Sequence, residues 1–318
     1  MTSLHMIASC TDRKRGRIAP ERRLRSVRTR DAGLRLACWV DRVANPSSGA
    51  LPVLDLYLGD HWAVARSLLE VARSQELDAE LWVASAGHGL VPARAKLDPY
   101  SATFANGEAD SVHRRTDPGV PASARRSWWT GLCSAQSLRH NAHPSSIAAL
   151  ARSEPHAAFL VIASPDYLSA MAGDVAAALD LVADRRRFVV VSSQNHGLPD
   201  ALAECVLVTD VRLRSIVGGA AVGLNARTAR WALVEASRSG FDVPTLRARL
   251  QALLRKAPAL SVPQRVPVSD ARVRSFIAAE LSRDPDVSHT PTLRRFRSSG
   301  FACEQSRFRS LFNEVLGG

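Results

Sequence analysis

Two spacings of apolar residues alternate over the first 240 positions of the chain. Short unbroken runs at Leu4 to Ser9, Leu81 to Ala84, Phe159 to Ala163, Phe188 to Val191 and Cys205 to Thr209 have the length and β-rich composition of buried strands. Between them apolar residues recur every three or four positions, as on one face of a helix. Leu36, Trp39, Val40 and Val43 form one such stripe, and Ala65, Leu68, Leu69 and Ala72 another. Ser123 to Ser137 is a third helix, with Trp128 or Trp129 facing inward, and Ile147 to Arg152 follows a serine N-cap. Five strands alternating with helices predict an α/β fold built on a three-layer, mostly parallel sheet. Gly218 to Gly223 lacks the spacing and acidic partner of a dinucleotide fingerprint, and reads as a turn before a helix starting near Asn225.

The pattern changes after Gly240. Leu246, Leu250, Leu253 and Leu254 stripe one helix, the proline-rich stretch Ala257 to Val268 reads as a linker, and Val273, Phe276, Ile277 and Leu281 stripe another helix. Thr290 as N-cap and Pro291 at the first helical position open a further helix with Leu293 and Phe296 inward. Gly300 then turns the chain into a last helix carrying Phe308, Leu311, Phe312, Val315 and Leu316. The expected division is an α/β catalytic domain over 1–240 and a small all-helical domain over 241–318. The last two helices read as a helix-turn-helix whose outward residues, Arg294, Arg295, Arg297, Gln305, Arg307 and Arg309, would meet DNA. Bulky Phe296 sits where that motif favours a small residue.

Charge narrows the partner. Forty-two Lys and Arg against 30 Asp and Glu give a formal net charge of +12 and a pI near 10.6, a field that attracts polyanions. Between Arg13 and Arg30 nine basic residues face a single acid, Glu21, directly after the first strand. Lys14, Arg15 and Arg17 are candidates there for contacting phosphate. The expected partner is double-stranded DNA, with no obligate protein partner evident, and no membrane is expected because no apolar run approaches the ~18 residues of a membrane span. Five cysteines scattered singly give neither a disulfide framework nor a zinc site, and no amino-terminal pattern reads as a signal peptide. A cytoplasmic, reduced protein without cofactor or metal is expected. A metal held by Cys10, His88 and His196 is the alternative.

Candidate chemistry gathers where the predicted strands end, the edge at which open parallel sheets bind ligands. Ser9, Cys10 and Asp12 follow the first strand. Ser85 and His88 lie in the turn Ser85-Ala86-Gly87-His88-Gly89, and a proline-anchored loop then brings Asp98, Tyr100 and Thr103. Ser164 follows the third strand, and Gln194, Asn195 and His196 the fourth. Asp55 and Tyr57 either join the site or staple the start of the next helix. Breaking a sugar–base bond needs a group to place water, a donor to stabilise the departing base and an aromatic ring to stack it. Asp98, His88 or His196, and Tyr100 supply those types. No lysine lies in the strand-end segments so defined, so water attack rather than Schiff-base chemistry is expected.

Four of these segments carry a resemblance. Ser9-Cys10 followed by Lys14, Asp55-Leu56-Tyr57 with Gly59, Ser85-Ala86-Gly87-His88-Gly89-Leu90, and Pro99-Tyr100 with Thr103 resemble a little-characterised bacterial and phage family. Its usual segments read S-C-x-x-K, D-L-Y-x-G, S-A-K-H-G-L and P-Y-D-x-T-L. The match covers roughly the first 130 residues and holds four segments in order. Gly87 stands here for the usual Lys, and Ser101 for the usual Asp. Asp98-Pro99-Tyr100 also resembles the water-activating D-P-Y of uracil-DNA glycosylases. With the basic tail, the whole is similar to bacterial anti-phage DNA glycosylases that excise glucosylated hydroxymethylcytosine. The resemblance implies a uracil-DNA glycosylase-like fold and hydrolysis of the N-glycosidic bond of a flipped, modified base in phage DNA. The other readings are an RNA base-exchange enzyme related to transglycosylases and a DNA-binding regulator without chemistry.

Overall fold

A computed structural model describes residues 3–114, 117, 120–138, 143–195, 197–258 and 264–317. The chain divides into two compact units, Met1–Pro258 and Ala259–Gly318.

In the first unit, strand β1 (Ser3–Ser9) is interior along nearly its whole length. Helix α1 (Ala32–Arg42) starts where the Asp31 side chain accepts from the Leu34 N–H, an N-cap. A two-residue strand β2 (Leu51–Pro52), a single turn α2 (Val53–Leu56) and helix α3 (Asp60–Ser74) lead to β3 (Asp78–Ser85). β4 (Gly89–Pro92) turns back antiparallel to β3, and β5 (Lys96–Leu97) pairs with β2. There follow α4 (Pro121–Leu138), α5 (Ile147–Ser153), β6 (Ala158–Ile162) and α6 (Pro165–Leu181). The unit closes with β7 (Phe188–Ser192), α7 (Asp200–Ala203), β8 (Val206–Val208), α8 (Arg214–Val217), α9 (Leu224–Ser239) and α10 (Val243–Lys256).

The sheet order is β4-β3-β1-β6-β7-β8, parallel throughout except for β4. β6 and β7 are buried at every position, as strands covered on both faces must be. Helices α3 and α9 pack together, as do α1, α4, α5 and α6, giving a three-layer α/β arrangement. Both Trp128 and Trp129 face inward, their indole N–H groups donating to the Ala86 carbonyl (2.9 Å) and to Asp174 Oδ2 (3.0 Å). The five parallel strands stand in the order second, first, third, fourth, fifth. The direction of winding therefore reverses between β1 and β6, and ligands of such sheets bind outside the carboxyl ends flanking that reversal.

Some expectations are corrected. The first compact unit extends to Pro258 rather than ending at Gly240, because Val243, Leu246 and Leu250 of α10 bury themselves in its core. The antiparallel β4 was not foreseen. The polar stretch from Asp110 to Pro121, whose composition reads as a surface loop, begins buried: Asp110, Ser111 and Val112 are interior, with Asp110 accepting from the Arg25 N–H (2.8 Å).

The second unit has its own core of Val273, Ile277, Leu293, Phe296, Phe308, Leu311 and Phe312. It comprises β9 (Val266–Pro267), α11 (Asp270–Arg283), α12 (His289–Ser298), β10 (Phe301–Ala302) and α13 (Gln305–Gly317). It is not all-helical, since β9 and β10 pair in parallel. α12 begins two residues before the expected position, with Ser288 rather than Thr290 at the N-cap. Phe296 is fully buried, its ring 5.0 Å from Phe276, 5.3 Å from Phe301 and 5.6 Å from Phe308. Its bulk thus centres the core of the unit.

Candidate functional site

The strand ends at the winding reversal hold a buried polar cluster. Tyr100 is its centre: its hydroxyl lies 2.7 Å from Ser85 Oγ, 2.9 Å from Tyr57 Oη and 3.6 Å from Cys10 Sγ. Cys10 Sγ is in turn 3.0 Å from Tyr167 Oη, at the first turn of α6 beyond Ser164. Each position follows from local structure. Cys10 continues β1 by donating to the Ala84 carbonyl (2.9 Å). Ser85 closes the turn after β3 by accepting from the Gly87 and His88 N–H groups. The chain at Lys14 runs beside Tyr57, held by hydrogen bonds from Arg15 N to the Leu56 carbonyl and from Leu58 N to the Arg13 carbonyl.

Tyr57, Ser85 and Tyr100 form the floor, at most 2% exposed, whereas Ser9, Cys10, Lys14, Thr103 and Tyr167 keep between 5% and 8% and form the rim. Burial raises the pKa of all three tyrosines, so they are neutral phenols able to donate or relay a proton. Ser9 Oγ is 3.4 Å from His61 Nε2, and burial lowers the pKa of that imidazole. Nearby, Asp60 takes both Arg227 terminal nitrogens (2.6 and 2.7 Å), and Asn225 donates to the Ala163 carbonyl at the end of β6.

Lys14, expected on the surface against phosphate, is 8% exposed and belongs to the cluster. Its Nζ stands 4.3 Å from the Tyr100 ring centre and 5.7 Å from that of Tyr57, and donates to the Asp12 carbonyl (3.3 Å). Burial lowers its pKa, partly offset by Cys10, Asp12 and Asp110. No lysine was expected in the strand-end segments, yet Lys14, five residues past the end of β1, brings its side chain into the cluster. Arg15 and Arg17 beside it are exposed, and among the described residues neither makes an ion pair.

The other candidates divide. His88 and Asp98 both line a cavity of about 190 Å³ with Arg22, Gln136 and His143. The His88 ring centre is 4.9 Å from that of Tyr100. Asp98 is occupied: it accepts from the Ser47 N–H (2.8 Å) and hydroxyl and pairs with Arg22 (2.8 Å). Burial alone would raise the Asp98 carboxyl, but Ser47, Arg22 and His88 outweigh it and hold the group below the usual carboxylate range. Its oxygens anchor the loop at Ser47, and it does not stand free at the strand ends as expected.

Asp55 points away, 3.6 Å from Arg66, and Asp12 is exposed. Ser164 stands at the N-cap position of α6, two residues past β6, without a side-chain capping bond. Gln194 and Asn195 are exposed past β7, and Asn195 lines a different cavity with residues of β8 and α10. His196 lies outside the described residues. Among the described residues no three of His, Cys, Asp and Glu are grouped as metal ligands.

Comparisons with known proteins return nothing: no family model, no curated protein and no solved structure matches this chain. Function is then a matter of the site's own chemistry.

Tyr167 and His61 were not foreseen. Tyr167 had a usable signal, since a residue on the first helical turn after the strand flanking the reversal necessarily overhangs the site. In the second unit, Arg295 pairs with Glu280, Arg307 with Asp270, and Arg297 donates to the Cys303 carbonyl (2.8 Å). Three of this unit's five arginines expected on DNA are thus engaged within the unit. Arg294, Arg309 and Gln305 are exposed, and among the described residues neither arginine makes an ion pair.

Proposed function

We propose that the protein is a DNA N-glycosylase that takes a flipped, modified base at the rim of the strand-end cluster and leaves an abasic site. One observation carries this reading: segments far apart in the chain deliver Cys10, Lys14, Tyr57, Ser85 and Tyr100 to one connected cluster beside the winding reversal. These come from the four segments that carry the resemblance to bacterial anti-phage glycosylases. The cluster offers the proton donors and the aromatic faces that the reaction needs, beside a cation and in a low dielectric that strengthens their electrostatic effect. The favoured substrate is double-stranded phage DNA with glucosylated hydroxymethylcytosine. Exposed Arg15 and Arg17, next to Lys14 in the chain, and Arg294 and Arg309 on the second unit suit phosphate contacts.

The test is incubation with unmodified DNA and with phage DNA carrying glucosylated hydroxymethylcytosine or other hypermodified bases. Alkali-labile sites and mass spectrometry of released bases report the reaction. Release from none of them sinks the proposal. DNA binding with no release from any substrate would leave a regulator without chemistry, the reading favoured by the unpaired Arg294 and Arg309.

A further inference from the structure

The cation at the rim of the site is a lysine in a chain that hardly uses lysine. The 42 basic residues comprise 39 arginines and three lysines, Lys14, Lys96 and Lys256. Lys96 and Lys256 are exposed; Lys14 alone is buried. A guanidinium is never deprotonated in a protein, whereas an amine can be, so the one position in which a buried cation is not arginine is one where a neutral nitrogen is possible.

Its surroundings point the same way. Among the described residues no carboxylate side chain forms an ion pair with Lys14; the amine meets two aromatic faces and one backbone carbonyl. An ammonium buried without an ion partner is costly, and the cost falls when the proton leaves. Cys10 and the phenols of Tyr57, Tyr100 and Tyr167 form a continuous hydrogen-bonded chain beside the amine, with proton donors at both floor and rim.

We propose that Lys14 is a covalent nucleophile of this site, attacking C1′ of a deoxyribose presented at the rim. The nitrogen lone pair forms a bond to C1′ as the bond from C1′ to the base breaks. The bonding pair leaves with the base, which takes the proton shed by the nitrogen. The sugar C1′–O4′ bond then opens, O4′ takes a proton from a phenol that regains it from solvent, and nitrogen and C1′ are joined as a protonated imine. Water adds to the imine, the amine departs, and the abasic aldehyde remains. The inference rests on the glycosylase reading, and it replaces direct attack by water with attack by the chain itself.

The experiment uses the full chain and two duplexes, one with glucosylated hydroxymethylcytosine and one with a single preformed abasic site, each with sodium cyanoborohydride at neutral pH. Reduction freezes the imine as a stable amine, and peptide mass spectrometry locates it. The expected result is a crosslink on Lys14 with both duplexes, lost in Lys14→Met and Lys14→Arg. A crosslink confined to Lys96, Lys256 or the terminal amine overturns the inference even if the variants fail to fold. Base release without any Lys14 crosslink overturns it while leaving the glycosylase reading intact. A Lys14 crosslink on the preformed abasic duplex, with no base released from any DNA, upholds the nucleophile and removes the glycosylase reading.

Discussion

Replacing Gly87 with Ala should damage the site from behind. The backbone at Gly87 is not in the left-handed region, so an added methyl brings no conformational strain, and its cost is contact alone. That methyl would stand 2.4 Å from Cε2 and 2.6 Å from Cδ2 of Tyr100. Carbon atoms pack at about 3.5–4.0 Å, so the ring must retreat by roughly 1 Å. It has nowhere easy to go, held by Ser85 (2.7 Å) and Tyr57 (2.9 Å) at its hydroxyl, with the Lys14 amine on its face. Overpacking costs about 1–3 kcal/mol. A buried hydrogen bond lost with it adds about 1 kcal/mol.

All six tryptophans lie between Trp39 and Trp231, within the first unit, so their fluorescence follows that unit alone during urea unfolding. With a slope of about 3 kcal/mol/M, a loss of roughly 3 kcal/mol lowers the midpoint by about 1 M. If the collision is the cause, Gly87→Ala should cost far less in a Tyr100→Leu background, a coupling of about 1–3 kcal/mol. A midpoint shift below about 0.2 M in the single variant, or equal costs in both backgrounds, would refute the geometry assigned to Tyr100.

Other outcomes follow from the same structure. Asp98→Ala removes the partner of Arg22 and of Ser47, and should cost roughly 3–5 kcal/mol at pH 7 in the fluorescence assay. Because the carboxyl is held below its ordinary range when folded, that stability is present above the unfolded pKa and lost as pH falls through the folded one, so variant and parent should converge in acid. Lys14→Met should stabilise the first unit, and the gain should shrink as pH rises toward the ordinary lysine range, since burial lowers the folded pKa and the penalty of the charged form vanishes there. Arg294→Ala with Arg309→Ala should weaken DNA binding and reduce the slope of log affinity against log salt by about two units, measured by fluorescence anisotropy. Phe296→Ala should cost about 3–5 kcal/mol in the second unit, visible by circular dichroism and silent in tryptophan fluorescence.

The parallel strands were legible because each is a short apolar run buried on both faces, a pattern that burial alone imposes. Strand order was not, since nothing in Leu4 to Ser9 says which neighbours it will take. The turn at Ser85 to Gly89 announced itself through glycine, yet the antiparallel β4 after it has only Leu90 and Val91 to show, too few for any period. Members of the buried cluster were legible where they stand at strand ends, as with Ser9, Cys10 and Ser85, and not where side-chain reach decides. Lys14 was assigned to the surface by its arginine neighbours, whereas its flexible stem carries the amine inward over Tyr100. Asp98 carried the right chemistry, but Ser47 and Arg22, fifty-one and seventy-six positions upstream, had already claimed it.

A separation between floor and rim decides how function can be probed in this fold. Tyr57, Ser85 and Tyr100 belong to the same cooperative core as the strands, so any substitution there confounds activity with unfolding. Lys14 is different in sign. It is a group whose charged form opposes folding, and removing it should leave a more stable protein. If Lys14→Met gains stability and loses the reducible crosslink together, the amine cannot be explained as a structural prop, because a prop does not weaken what it supports. A destabilised Lys14→Met protein would instead make the contact of its stem and ammonium with Tyr57 and Tyr100 the reason for its presence, at about 0.5–2 kcal/mol for a buried cation on aromatic faces. The two results point in opposite directions, so a single urea curve at neutral pH, taken beside the trapping assay, distinguishes a nucleophile from a packing residue.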